Sequence, residues 1–391
     1  MTPTNTTNTN RTSIEDTLIM IPGPVPVVPR ILRAMAKPVI NHRGSEFAEL
    51  FNDCRELFAD MFRTKNDILL LSGSGTSGME AAVGNLINPD DTIATLVNGK
   101  FGERFRDLGR LYGNTVPIES EWGYPLDLDA AAAALEDGAD AIAMVHNETS
   151  VGMLNSAEEV GKLARKHDAL FIMDGITSIG GTEVFVDRWG VDIAILGSQK
   201  CIGAPPGFAA VSVSERAFEK MKEVKKPPYY LDLKAHKKSA DKGQTPYTPS
   251  IPLFYAVQEA LLIAHEEGLS ARMKRHASGA TAVRAAAGAM GIEMFSQPDG
   301  LSRYSDTVTA MKVPHGIAFD RMKQEMLDCG ILIAGGQAHL KGNVFRIGSM
   351  GNFKAKDILI TIQMLESILH KHGVVSEFGA GTEAAASVLM G

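Results

Sequence analysis

Three short stretches of this chain hold residue types that could do chemistry, and each lies at the end of an apolar run. The first is SGSGTSG at 72–78, which follows ILLLS at 68–72. It opens a stretch whose apolar residues, Met79, Ala82, Val83, Leu86 and Ile87, recur at helical spacing. Glycines let such a turn close tightly, and the N–H groups of Gly75, Thr76 and Ser77 would face an anion at the helix start. The string also matches G-x-G-x-x-G, yet the acid that a dinucleotide's ribose requires is missing. Asp90 and Asp91 precede the next strand, and that strand runs out in Asn98-Gly99. A phosphate cradle for another ligand fits better, with a purely structural turn as the alternative. The second stretch is LFIMD, ending in Asp174. A carboxylate closing an apolar strand needs a cation or a hydrogen-bond donor, although a helix cap or salt bridge would also satisfy it. The third is ILGSQKCIGAPPGF, with Lys200 among small and apolar neighbours. Desolvation would lower that amine's pKa and free it to condense with an aldehyde; a structural or anion-binding lysine is the alternative.

Taken together, an acid for a pyridinium, an amine for an aldehyde and a Gly/Ser cradle for a phosphate are what pyridoxal 5′-phosphate requires of a protein. The elements that must position them form a regular rhythm. Strands are expected at 68–72, 92–98, 141–147, 170–174, 192–198 and 208–214, mostly short apolar runs of the kind buried on both faces of a parallel sheet. Helical stretches intervene, and Ser156 with Glu159 has the spacing of a capping box ahead of LFIMD. Such βαβ alternation implies an open α/β sheet with its chemistry at the carboxyl ends of the strands. Apolar spacing from Phe47 to Phe62 predicts an amphipathic helix. Pro22, Pro24, Pro26 and Pro29 predict an extended segment over 21–31. A long loop is expected over 227–255, of the functional or interfacial kind, and one long helix from about Leu253 to Ala287. The remainder reads as a smaller α/β unit.

Bulk properties exclude several classes. A chain of 391 residues is long enough for a large core and a smaller second one. Its net charge of −7 argues against a general nucleic-acid binder. Cys54, Cys201 and Cys329 are widely spaced, so neither a disulfide framework nor a metal site is expected, and a cytoplasmic home is. The first sixteen residues have no signal-peptide run and are expected to be a disordered tail. No stretch has the apolar length of a membrane helix.

Longer motifs resemble the class V, fold-type I aminotransferases of the alanine–glyoxylate/serine–pyruvate group. They are PGPVPV (22–27), HRGSEF (42–47), SGSGTSGMEAA, VNGKFGER (97–104), HNETSVG (146–152), MDGITSIGG (173–181), GSQKCIGAPPG (197–207), TPYTP (245–249) and FRIGSMG (345–351). The resemblance implies a large domain over 17–270 with a mostly parallel seven-stranded sheet, and a small C-terminal α/β domain over 271–391. It implies that Lys200 holds pyridoxal phosphate as a Schiff base and then shuttles a proton, while Asp174 pairs with the ring nitrogen. Ser74, Gly75 and Thr76 would face the phosphate, with Gln199 beside it. Phe101 would stack on the ring, Ile176 would pack on its other face, and Thr149 would bond near its phenolic oxygen. The resemblance implies homodimers in which the TPYTP segment crosses over, so Thr248 and Thr245 would complete the neighbour's phosphate site; here the chain departs from relatives that carry tyrosine in the place of Thr245. Arg346 would clamp the substrate α-carboxylate, Gly23 and Pro24 would lie over the substrate, and His42 with Arg43 resemble a pair that faces a second anionic group.

These roles imply ping-pong transamination between a small amino acid (alanine, serine, aspartate or phosphoserine) and a 2-oxo acid (glyoxylate, pyruvate or 2-oxoglutarate). A lyase of the cysteine desulfurase type is the nearest rival; it would want a histidine where Gln199 stands and a cysteine on a mobile loop. A scaffold that kept the sheet and lost its chemistry is the other.

Overall fold

The computed structural model describes residues 17–391; the tail expected over 1–16 lies outside the described residues. Seven strands make the principal sheet: β1 (Asp67–Ser72), β2 (Thr92–Val97), β3 (Asn114–Glu119), β4 (Ala141–Val145), β5 (Leu170–Asp174), β6 (Ile193–Gly197) and β7 (Phe208–Val213). Their order across the sheet is β1-β7-β6-β5-β4-β2-β3. Only β7 runs against its neighbours, pairing antiparallel with both β1 and β6. Strands β4, β5, β6 and β7 are buried along their whole length. That is why they read as apolar runs rather than as alternation. Strand β3 was not expected from sequence. It is an edge strand, mostly exposed, and it contains Pro117, so neither hydrophobicity nor β-propensity marks it.

Helices cover the sheet, and one of them explains much of the aromatic content. Ser45–Phe62 buries Phe47, Phe51, Phe58 and Phe62, as its spacing predicts. These rings meet Phe208 of β7 and Phe254, with Phe47 and Phe254 edge-on at 5.1 Å between centroids. Burying each aromatic ring stabilises by about 1.5–3 kcal/mol, so this layer anchors the antiparallel end of the sheet.

A second core lies apart from the first. It gathers Met311, Phe345, Ile347, Ile362, Leu365 and others around the antiparallel strands Val308–Lys312, Val344–Gly348 and Ala334–Gly335. Met20 belongs to this core, and the strand Leu18–Ile19 pairs parallel with Ile331–Leu332. The amino-terminal segment therefore starts on the second core and only then crosses to the first.

Four local expectations need correction. The stretch 253–287 is two helices, Ile251–Glu267 and Leu269–Ala289, separated at Gly268, whose φ of +84° breaks the helical backbone. The 227–255 segment contains a helix, Leu233–Ala240, capped by Asp232, which accepts from the N–H groups of Lys234 and Ala235. Ser156 precedes the helix Ala157–Lys166, but its side chain caps nothing, so the capping box does not form. The proline-rich segment is not extended throughout: Gly23 has φ +88°, and Pro29 starts the helix Pro29–Met35. Proline tolerates a helix's first turn because the missing N–H has no partner there anyway.

Candidate active site

The carboxyl ends of the parallel strands converge, as doubly wound sheets require. One cavity there is lined by Ser74, Gly75, Thr76, Phe101, Arg104, Thr149, Asp174, Ile176, Thr177, Gln199 and Lys200. Nine of these eleven were expected from sequence: all but Arg104 and Thr177. A wider, open groove elsewhere is lined by Lys65, Lys222, Lys234, Lys237 and Lys238. Its lysines are largely occupied, Lys222 with Glu219, Lys237 with Asp67 and Asp241, and Lys234 with the Met221 carbonyl.

Strand β5 delivers Asp174, which is only 3% exposed. One carboxylate oxygen accepts the Ile176 N–H at 2.7 Å. Burial pushes its pKa up to about 7, helped by the nearby Glu148 charge, and opposed by the Ile176 N–H, Arg104 and Lys200. A carboxylate so placed is short of a cation. Past β6, Lys200 projects into the same cavity, and burial lowers its amine to about 8. At pH 7 about a tenth of that amine is therefore unprotonated and nucleophilic, far more than for a lysine in water. Its Nζ donates to the Pro22 carbonyl at 2.5 Å.

The phosphate-cradle expectation rests on the helix Gly75–Leu86, with Ser74 as its N-cap. The Ser77 N–H turns back to the Ser74 carbonyl at 2.8 Å, which removes Ser77 from the set expected to face an anion. Gly75 and Thr76 keep that role, since N–H groups at a helix start lack helical partners. Across the cavity the Oε1 atom of Gln199 is buried without a hydrogen-bond partner among the described residues. An orphaned amide oxygen and an under-paired carboxylate in one cavity both call for a polar ligand.

Other expected residues fall around this centre. Phe101 lies in the first turn of the helix Lys100–Tyr112. Its N–H and that of Gly102 donate to Glu148 at 3.0 Å each, while Ser150 donates to the same carboxylate through N–H and hydroxyl. Sequence reasoning quoted HNETSVG without reading Glu148. Its signal was an acid in an otherwise buried run, and it proves to be the fully buried cap that fixes where Phe101 stands. Thr149 shares a 2.8 Å hydrogen bond with Thr177. The Arg346 guanidinium gives Nε and Nη2 to the Gly335 carbonyl and Nη1 to that of Thr149, at 2.8–3.0 Å. Of its five N–H donors, two remain for a ligand.

The amino-terminal segment crosses directly over Lys200. A side chain at Gly23 would place Cβ 2.6 Å from the Lys200 Cδ and 2.8 Å from Nζ. We expect Gly23→Ala to leave stability within about 1 kcal/mol, because only a flexible side chain and one φ angle are disturbed. Turnover should nonetheless fall on the order of tenfold to a hundredfold, since a misplaced amine is out of line for chemistry. Urea unfolding beside steady-state kinetics checks the contrast.

His42, Arg43, Thr245 and Thr248 stay outside this cavity in the chain. Arg43 gives its Nη atoms to the Gln244 side chain and to the carbonyls of Thr245 and Pro246, at 2.6–3.1 Å. Thr245 bonds the Tyr247 carbonyl at 2.7 Å, and Thr248 is exposed. Cys201 is buried against the Thr177 carbonyl, and burial pushes its thiol up to about 12, which removes the thiolate a desulfurase nucleophile needs. Cys329 follows the helix Phe319–Asp328, on the second core.

Residues 32–341 match the family model "Aminotransferase class-V". An uncharacterised aminotransferase of Methanocaldococcus jannaschii is 43% identical, with 95% of this chain and 97% of that protein covered. A Synechococcus protein named as the small subunit of a soluble hydrogenase is 37% identical, covering 95% of this chain and 98% of its own. Among solved structures, the ureidoglycine–glyoxylate aminotransferase of Bacillus subtilis superposes with a TM-score of 0.89 at 32% identity, over 96% of this chain and 98% of that one. A sheet of this order, a lysine and a carboxylate sharing one cavity, and a match across most of the sequence lead to one conclusion: this chain belongs to the class-V aminotransferases and is a pyridoxal-phosphate-dependent transaminase.

Proposed function

We propose that this enzyme passes an amino group from a small amino acid to a 2-oxo acid, with glyoxylate as the acceptor of first choice. The carrying observation is Lys200 and Asp174 lining one cavity, an amine lowered toward neutrality and a buried carboxylate that forms no ion pair among the described residues. Support for glyoxylate comes from relatives at 31–32% identity, whose names pair it with aspartate, alanine or serine. Ureidoglycine, aspartate, alanine and serine all present the same α-amino acid head.

Bound pyridoxal phosphate would supply an electron sink for the bond breaking at the substrate's Cα. The protein's part is positional and electrostatic. Lys200 Nζ would attach the cofactor, then take and return the substrate's Cα proton. Asp174 would hold a negative charge against the ring nitrogen and so keep it protonated. Phe101 and Ile176 would enclose the ring, and Thr149 would bond near its phenolic oxygen. Ser74, Gly75, Thr76 and Gln199 would hold the phosphate. Pro24, next to Gly23 in the covering segment, would exclude water from the Lys200 side.

Arg346 holds the substrate carboxylate with its two uncommitted donors, in both half-reactions. Arg346→Gln should then reduce kcat/KM about 10²–10³-fold for amino acid and oxo acid alike, mostly through KM. A loss confined to one of the two substrates would count against a shared clamp.

Arg43 receives a different task from the second anionic anchor expected of it. Its three contacts fix the turn that carries Thr245 and Thr248, and we place that turn at the phosphate site of a second copy in a homodimer. His42, beside it, belongs to the same surface. We also place the division between large and small domains near Gly268, and the enzyme in the cytoplasm, where its three unpaired thiols suit a reducing environment.

A panel of amino donors against glyoxylate, pyruvate and 2-oxoglutarate tests the proposal. Ping-pong kinetics with at least one donor and glyoxylate is the expected result. Failure of every donor to yield glycine from glyoxylate would overturn the choice of acceptor.

A further inference from the structure

Arg104 lines the cavity but was given no role by the sequence. It sits one helical turn beyond Phe101, and its guanidinium lies 4.9 Å from the centre of that ring. Its Nη1 donates to the Thr76 hydroxyl oxygen at 3.0 Å. No carboxylate pairs with it among the described residues. A guanidinium that lines a cavity and has no carboxylate partner is suited to bind an anionic group. The hydrogen bond to Thr76 has a second effect. Because Thr76 Oγ1 accepts from Arg104, its own proton is turned away from the arginine and is available to the cavity. The same turn offers the Gly75 and Thr76 N–H groups at a helix start.

We infer that Arg104 is a ligand of the cofactor's phosphate, supplying the positive charge of that subsite and orienting the Thr76 hydroxyl as a donor toward it. The inference rests on the pyridoxal phosphate reading above and adds to it a residue whose role is anion recognition, not bond making. It commits Arg104 to the phosphate rather than to a substrate side chain, since its one polar contact within the cavity is a residue of the cradle.

Two aldehydes that differ only in the phosphate separate this role from a structural one. Cofactor-free wild type and Arg104→Gln are titrated with pyridoxal phosphate and, separately, with pyridoxal, following the absorbance change on reaction with Lys200. A charged hydrogen bond contributes about 1.5–3 kcal/mol, so Arg104→Gln should raise the Kd for pyridoxal phosphate about ten- to a hundredfold. The Kd for pyridoxal should move less than about twofold, and Arg104→Lys should recover part of the loss. Equal weakening of both aldehydes would show that Arg104 only props up the site, and unchanged binding of both would show that it does nothing there; either result overturns the inference. Wild type that takes up neither aldehyde would instead bring down the cofactor reading itself, and a loss of acidic-donor KM alone in Arg104→Gln would reassign the residue to the substrate.

Discussion

Lys200→Ala should lower turnover at least about 10³-fold and remove the absorbance band of the lysine-linked cofactor, leaving that of the free aldehyde. Both effects follow from one amine doing two jobs. A positioned acid–base group contributes typically about 10²–10⁴-fold, and loss of the covalent anchor adds to it. The variant should still fold, because Lys200 contributes one hydrogen bond, to the Pro22 carbonyl, and little apolar packing. Lys200→Arg makes the sharper control. It keeps a positive charge but cannot present a neutral amine near pH 8, so it should be as inactive as the alanine variant. Turnover and spectrum unchanged from wild type in either protein would remove Lys200 from the chemistry.

Asp174→Asn carries the second large effect. Exchanging the carboxylate for an amide would remove the charge we propose keeps a proton on the ring nitrogen, and kcat should fall on the order of 10²–10⁴-fold while KM changes far less. The cofactor-free protein offers an independent readout. Burial raises Asp174 from 3.8 to about 7, so between those pH values the folded chain holds a proton that the unfolded chain has released. Stability contributed by this site therefore falls as pH rises through that window. Lys200 behaves in the opposite sense. Its pKa drops from 10.5 to about 8, so from pH 8 to 10.5 the unfolded chain binds the extra proton and stability rises with pH. Urea midpoints measured across both windows should show the lower slope reduced in Asp174→Asn and the upper slope reduced in Lys200→Ala. A cofactor-free wild type whose slopes are matched by both variants would mean that neither group is desolvated as described.

Much of this site was legible in the sequence because its parts occupy fixed places relative to buried strands. LFIMD and ILGSQK have to end where parallel strands end, and the glycine turn at 72–78 has to start a helix, so three separate stretches were forced toward one end of one sheet. The apolar runs carried that information. What the runs could not carry was partnership across the fold. Glu148 and Phe101 are far apart in the chain, and nothing local says that one caps the helix of the other. Arg104 hid in the same way, since an arginine in an amphipathic helix normally faces solvent. Strand β3 escaped because an exposed edge strand needs neither alternation nor apolar character. The merged helix over 253–287 failed at a single backbone angle, at Gly268, which apolar spacing cannot register.

The strap over Lys200 also has a bearing on how the molecule is made. The segment whose carbonyl reaches the reactive amine has two anchors: Val25 donates to the Gln199 carbonyl beside the lysine, and Leu18–Ile19 is moored to Ile331–Leu332, near the far end of the chain. A nascent polypeptide leaving the ribosome completes the whole seven-stranded sheet, lysine included, well before that mooring is synthesised. Until then the strap lacks its second anchor and covers the nucleophile less firmly, so a cellular aldehyde, welcome or not, should meet least resistance in this interval of biogenesis.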